Sequence, residues 1–286
     1  MKPFYILLLF IIGSCTSSAP ETLTTGSTLF IIESSDSVGI AQPMDIFLHD
    51  YKNSHIAFRY APENMAIDLF LKDSARVLIC DRKLSEEEEA VISSRDITLR
   101  TYLIAAKSIA IIVNNNCPIT EIKQSEIQDL LNGTGKFASY IPLVANGNNS
   151  IYNYLSANYD LKNTKQAGNE NLVMEKIETN PKAIGFIPVD YLLDEKSGRR
   201  AKNIMRVKAL PIRNSSDNKL YSAAAPNMKG LKYPLVQEIY LHDAQGKSGL
   251  GTGFAGFVLS DRGQLIIKKM GWYAVRSRER DIIIEN

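Results

Sequence analysis

The chain is poor in the residues that metal and redox chemistry draw on. Its 286 residues hold three His, three Cys and one Trp. His49, His55 and His242 stand apart, and no His lies at metal-ligand spacing from a Cys, so neither a metal nor a cofactor is expected. An excess of charge of one sign is also missing: 33 Lys+Arg against 31 Asp+Glu give +2. That balance excludes a protein whose main work is coating nucleic acid or holding an anionic membrane by charge. The apolar run Phe4–Ile12 is nine residues, short of the roughly 18 that a membrane-spanning helix needs. Catalytic signatures are lacking as well. Gly246-Lys247-Ser248-Gly249-Leu250 misses the last glycine of a nucleophile elbow. Gly249-Leu250-Gly251-Thr252-Gly253 lacks the spacing of a dinucleotide loop. With no nucleophile–base pair in view, an enzyme is not expected. Hydrophobic residues at 45% and charged residues at 22% exclude a mainly disordered chain, and the length fits one large domain or two ordinary ones.

What is present begins at the N-terminus. Lys2 and the apolar run after it have the form of a signal peptide. Ile12-Gly13-Ser14-Cys15 resembles a bacterial lipobox, so residues 1–14 are expected to be removed and Cys15 to carry a diacylglyceryl group and further acylation, such as palmitate. An ordinary cleaved signal with a chance cysteine is the alternative. Residues 15–26, rich in Ser, Thr, Pro and Gly, read as a tether. The expected location is the periplasmic face of the cell envelope, with the protein held on a membrane as a lipoprotein. An exported chain can form a disulfide, but Cys80 and Cys117 read as two separate buried or semi-buried thiols.

The body of the chain alternates strands and helices. Leu29–Ile32, His55–Tyr60, Ala75–Cys80, Ser108–Val113, Ile141–Val144, Ala183–Pro188, Val207–Ile212 and Tyr233–Tyr240 read as strands. Helices are expected over Ile40–Tyr51, after Pro62, after Ser85, over Ile122–Leu131, from Ile151, over Asn171–Thr179 and over Gly253–Met270. The alternation predicts α/β architecture with a parallel sheet covered on both faces. Glu86–Glu89 reads as a solvated helix start, and Arg276, Arg278 and Arg280 as an exposed face. Two polar turns, Ser34-Ser35-Asp36 and Asn148-Asn149-Ser150, fall where a strand gives way to a helix. Ligands bind at such places in open α/β sheets, but Ser and Asn also simply cap helices; both readings stand.

Six segments stand out together: Ile79–Glu88, Ala106–Asn114, Ile127–Gly133, Pro181–Phe186, Tyr233–Leu235 and Phe257–Gln264, over roughly 180 residues. In this order they resemble those of periplasmic solute-binding proteins of the phosphate type, the receptors of ABC phosphate importers. The resemblance implies a two-lobe, type II periplasmic binding fold with ligand in the cleft. It places lobe one over residues 27–107 plus 206–286 and lobe two over 108–205. It implies a receptor that captures inorganic phosphate or a related small anion and delivers it to ABC permease subunits. The implied cradle is Ser34, Ser35 and Asp36; Glu63 and Asn64; Asp81 and Arg82; and Asn148, Asn149 and Ser150.

The chain departs from that pattern at three places. Ala145 stands where an anion-pairing Arg is expected, Ile151 replaces a Thr hydroxyl, and Glu63 puts a carboxylate where a neutral donor is expected. At ~4 Å an ionised carboxylate repels an anion by about 4 kcal/mol at an effective dielectric of about 20, or about three decades of affinity. These departures keep open a second function: the same fold with a degenerate site, acting as a sensor, adaptor or protein-interaction module. The two readings diverge on whether the turn donors converge on one point or Glu63 fills that point by pairing with Arg82.

Overall fold

The computed structural model describes residues 21–193, 206–223 and 232–276. The expected signal peptide, Cys15, Arg278, Arg280 and the apolar Ile282–Ile284 lie outside the described residues.

The first half builds one end of a long sheet. β1 (Gly26–Glu33) leads through a 3₁₀ turn (Ser34–Asp36) into α1 (Ser37–Asp50). β2 (Ser54–Ala61), α2 (Glu63–Leu71), β3 (Val77–Cys80) and α3 (Glu86–Ser93) follow. β1 lies between β2 and β3 and is parallel to both, so this part has the expected strand–helix–strand form. Glu86–Glu89 does start a helix. Ser85 and Glu88 form a reciprocal cap in which each side chain accepts from the other's backbone N–H.

β4 (Arg100–Asn114) is fifteen residues long and crosses between the two halves of the molecule. Its run from Ile104 to Asn114 is buried throughout, as a central strand covered on both faces must be. The middle of the chain adds β5 (Ile122–Lys123), α4 (Ile127–Asn132), β6 (Ile141–Val144), α5 (Ser150–Asn158), β7 (Lys165–Gln166), α6 (Glu170–Thr179) and β8 (Ala183–Pro188). Then come β9 (Val207–Leu210), β10 (Ile212–Arg213), β11 (Leu220–Tyr221), β12 (Val236–Asp243), α7 (Leu250–Val258) and α8 (Asp261–Lys269). The main sheet runs β2-β1-β3-β12-β4-β8-β6-β7, with β9 also on β4.

Four expectations need correction. The sheet is mixed: β12 runs antiparallel to β3 and β4, and β4 antiparallel to β8 and β9, because both long strands carry the chain between the two halves. β9, β10 and β11, expected with the first lobe, hydrogen-bond instead to the far half of β4 and to β5. The helix expected over Gly253–Met270 is two helices. Ser260 leaves helical geometry and caps α8 by accepting from the Gly263 N–H. Ile122–Leu131 opens as a short strand and a 3₁₀ turn before α4, which ends where Gly133 adopts left-handed φ of 62°. Cys80 and Cys117 are both buried, free thiols.

Apolar side chains form a core that extends through both halves, from Phe30 and Phe254 to Ile112 and Phe186, with the successive residues Ile109–Val113 of β4 contributing on both faces of the sheet. A smaller cluster under α2 and α3 covers the opposite face of the first half, with Ile31, Phe70 and Leu78. Gly39 on α1 lies against the fully buried Trp272, and a Cβ there would stand 2.0 Å from the indole. Gly39→Ala is therefore expected to cost about 1–3 kcal/mol through overpacking. A urea denaturation series checks this; an unchanged midpoint would mean that the indole moves aside freely.

Candidate functional site

β4 passes between the halves at residues 108 and 109, where its partner changes from β12 to β8. The ends of β1 and β3 and the start of α5 converge on the same place. Lys107 sits there on β4, fully buried between strands of Ile, Ala and Val. An ammonium in such surroundings is unstable unless hydrogen-bonded and paired. Its Nζ has three partners: Ser35 Oγ at 2.8 Å, Asp36 Oδ1 at 2.5 Å and Asp81 Oδ2 at 2.9 Å. All three ammonium protons are thus committed inside the chain.

Carboxyl groups outnumber this cation. Burial works against the Lys107 charge, but Asp36, Asp81, Glu33 and Asp190 overcome it and hold its pKa well above the ordinary lysine value. The acids in turn resist ionising together. Burial first, and then the Asp81 charge, raise Glu33 to about 8 and Asp36 well above the usual carboxylate range. Burial raises Asp190 to about 6, opposed by Lys107. Glu33, Asp36 and Asp81 bring carboxylate oxygens within 4.8 Å of one another. Lys107 bonds two of the three, Asp36 and Asp81, and Ser35 donates to the third, Glu33.

Most of the expected cradle residues are held by partners within the chain. Ser35 is tied inward: its N–H donates to Glu33 Oε2 at 2.6 Å, and its hydroxyl lies against Glu33, Asp81 and, at 3.0 Å, Ser150 Oγ. Asp36 holds Lys107, and Ser34 opens the 3₁₀ turn half-buried. Asn149 caps α5, accepting from the Tyr152 N–H at 2.9 Å and donating to Glu170 at 3.1 Å. Asn148 is exposed, and its carbonyl accepts from the Asn64 N–H at 3.4 Å. Glu63 is buried and accepts from Asn153 Nδ2 at 2.8 Å; burial raises its pKa, and the Asp81 charge adds to this. Arg82 lies 3.5 Å from Glu63 but gives a two-pronged pair, both at 2.7 Å, to Glu88. Ala145 and Ile151 are buried apolar residues.

Hydrogen bonds join the two halves directly, among them the Asn153 amide to Asn64 Oδ1 at 3.0 Å. Others are Ser35 with Ser150, Asn64 with Asn148, Glu63 with Asn153, and Gln237 Nε2 with the Ser150 carbonyl at 3.1 Å. Beside them opens a cavity of about 390 Å³. Glu63, Asn64, Asp81, Arg82 and Ser150 line it, together with Asn153, Tyr154, Ala157, Asn158 and Gln237. That volume falls in the range of small-molecule sites.

A sequence model of the PBP superfamily domain matches residues 19–262. The chain belongs to the PBP superfamily. This family and the neighbours below named for transport are binding proteins rather than enzymes. Solved structures share the fold at low identity. A protein assigned as a phosphate ABC transporter substrate-binding protein from Clostridium perfringens, with bound phosphate, is 16% identical with a TM-score of 0.71, over 88% of this chain and 100% of that one. An ABC-type phosphate transport receptor from Vibrio cholerae is 17% identical with a TM-score of 0.60, over 85% and 99%. A mutant of OxyR from Corynebacterium glutamicum, with hydrogen peroxide bound, is 11% identical with a TM-score of 0.60, over 87% and 68%. No curated relative matches the sequence.

Sequence reading missed Lys107, Glu33, Asp190 and Gln237. One signal was available: Lys107 is the single charged residue in the apolar stretch Ile104–Val113. A lysine so placed in a central strand requires an acid opposite it. Asp36 and Asp81 follow strands that the apolar patterning already places.

Proposed function

We propose that this chain is a solute-binding protein of the cell envelope, held by a lipid on Cys15 and a tether up to residue 26. Its two lobes close over a small polar solute and present it to an ABC permease. Lobe one comprises β1 to the first half of β4 with β12, α7 and α8; lobe two is the chain between. The observation that carries this reading is the cavity at the lobe junction, walled by side chains from both sides of the crossing strands. Of the residues expected to bind ligand, Glu63, Asn64, Asp81, Arg82 and Ser150 line it. Ser35 and Asn148 hydrogen-bond the lining residues Ser150 and Asn64, Asn149 caps the helix that Ser150 opens, and Ser34 and Asp36 share the 3₁₀ turn with Ser35.

Inorganic phosphate is the solute that two neighbours' names carry. In this chain the Lys107 ammonium and the Ser35 hydroxyl that could meet a phosphate face the chain's own carboxylates. A second reading, a module working by protein contact alone, draws on the direct bridges between Ser35 and Ser150 and between Glu63 and Asn153. A thermal-shift screen of the purified chain, dialysed out of urea to remove bound solute, separates the two. The transport reading expects a small solute to raise the melting temperature, with the rise lost in Tyr154→Trp, which fills the cavity. A screen of sugars, amino acids, amines and oxyanions without a single rise would favour the contact module.

A further inference from the structure

We infer that the solute is a hydrogen-bond donor carrying positive charge, an organic ammonium or guanidinium, held between Glu63, Asp81 and Gln237. This rests on the reading of the junction cavity as the solute site. The cavity's lining contains two carboxylates that are almost wholly buried, Glu63 and Asp81, exposed by 2% and 7%. Its cation, Arg82, gives both prongs of its guanidinium to Glu88 and leaves only Nε, at 3.5 Å, toward Glu63, while Lys107 meets Asp81 through Oδ2 alone.

The unsatisfied atoms point the same way. Among the described residues, Asp81 Oδ1 and Gln237 Oε1 are buried side-chain oxygens without a hydrogen-bond partner. The orientation of the Gln237 amide is fixed, because its Nε2 donates to the Ser150 carbonyl, which a flipped amide could not serve. Its oxygen must then meet a donor from elsewhere. Among the described residues of the lining, no side-chain donor is left in the same state. A buried acceptor without a donor is costly, and a ligand that brings N–H groups removes that cost. An oxyanion brings more acceptors and sets its charge against Asp81. Tyr154 adds an aromatic ring to the wall, a surface that favours ammonium groups.

Calorimetric titration of the purified chain with agmatine, putrescine, choline and inorganic phosphate tests the class. Agmatine and putrescine are expected to bind at micromolar concentration. Choline, which has the charge but no N–H, is expected to bind at least about tenfold more weakly, and phosphate to give no heat. Gln237→Leu and Glu63→Gln are each expected to weaken agmatine by about tenfold or more while the far-UV spectrum and cooperative melt persist. Choline binding as tightly as agmatine overturns the inference. So does agmatine binding that both variants leave unchanged. Silence toward the amines overturns it too: if an oxyanion or neutral solute then raises the melting temperature in the screen, the solute-binding reading stands, and if nothing does, both fall.

Discussion

Lys107→Met is expected to lower the unfolding free energy by about 3–5 kcal/mol at pH 8, the cost of leaving buried carboxylates without their cation. The ammonium is wholly enclosed and holds Asp36, Asp81 and Ser35 together at the crossing of the lobes. Methionine fills a similar volume, so the loss reports charge rather than a cavity. The carboxyls left behind can escape by taking up protons, so the variant recovers as the pH falls toward 5. The combination Asp36→Asn, Asp81→Asn, Lys107→Met removes both signs and is expected to regain most of the loss. Urea denaturation at pH 5 and pH 8 measures all of this. A Lys107→Met chain as stable as the parent at pH 8 would mean that the ion pairs contribute nothing net.

The second large effect lies in the pH dependence carried by Glu33. Its pKa in the folded chain is raised from 4.5 to about 8, first by burial and then by Asp81. Between those values the folded state keeps a proton that the unfolded state has released. Stability from this group is then fully present below pH 4.5 and declines as the pH rises toward 8. Each unit of that difference corresponds to about 1.4 kcal/mol, so a decline of at least this size is expected between pH 5 and pH 8. Glu33→Gln keeps the shape and cannot ionise. Subtracting its stability curve from the parent's isolates the contribution. The parent should lose ground to the variant steadily from pH 5 to pH 8. A flat difference, or one of opposite slope, would place an ionised Glu33 in the fold.

Much of the architecture is legible because its signals are local. Alternating apolar strands and amphipathic helices mark β1 to α3, and the Ser85–Glu88 cap shows where α3 begins. What escapes is set by tertiary context. Nothing within Val207–Ile212 tells which lobe its strands join; the far half of β4 decides that. The direction of β12 follows from its crossing between lobes, not from its own residues. Apolar spacing alone makes Ser260 an interior helical residue, whereas its side chain breaks Gly253–Met270 in two.

The candidate site is half legible. The turns after β1 and β6 do come together, with Ser35 meeting Ser150 across 115 positions of sequence. Yet Asn149 proves to be a helix cap, and Arg82 belongs to Glu88, in a run of acids whose composition suggests only a solvated helix start. The centre of the junction is Lys107, in a strand that the eye passes over as apolar core.

On this account the Lys107 ammonium is committed to Asp36, Asp81 and Ser35, and leaves no place for an anion among them. Titration of the purified, urea-stripped chain with inorganic phosphate at pH 7 tests it most directly, with sulfate as control. The account predicts no saturable heat from either anion up to millimolar concentration. Saturable phosphate binding at micromolar concentration, weakened by Lys107→Met, would contradict it, because Lys107 would then be free to serve the anion.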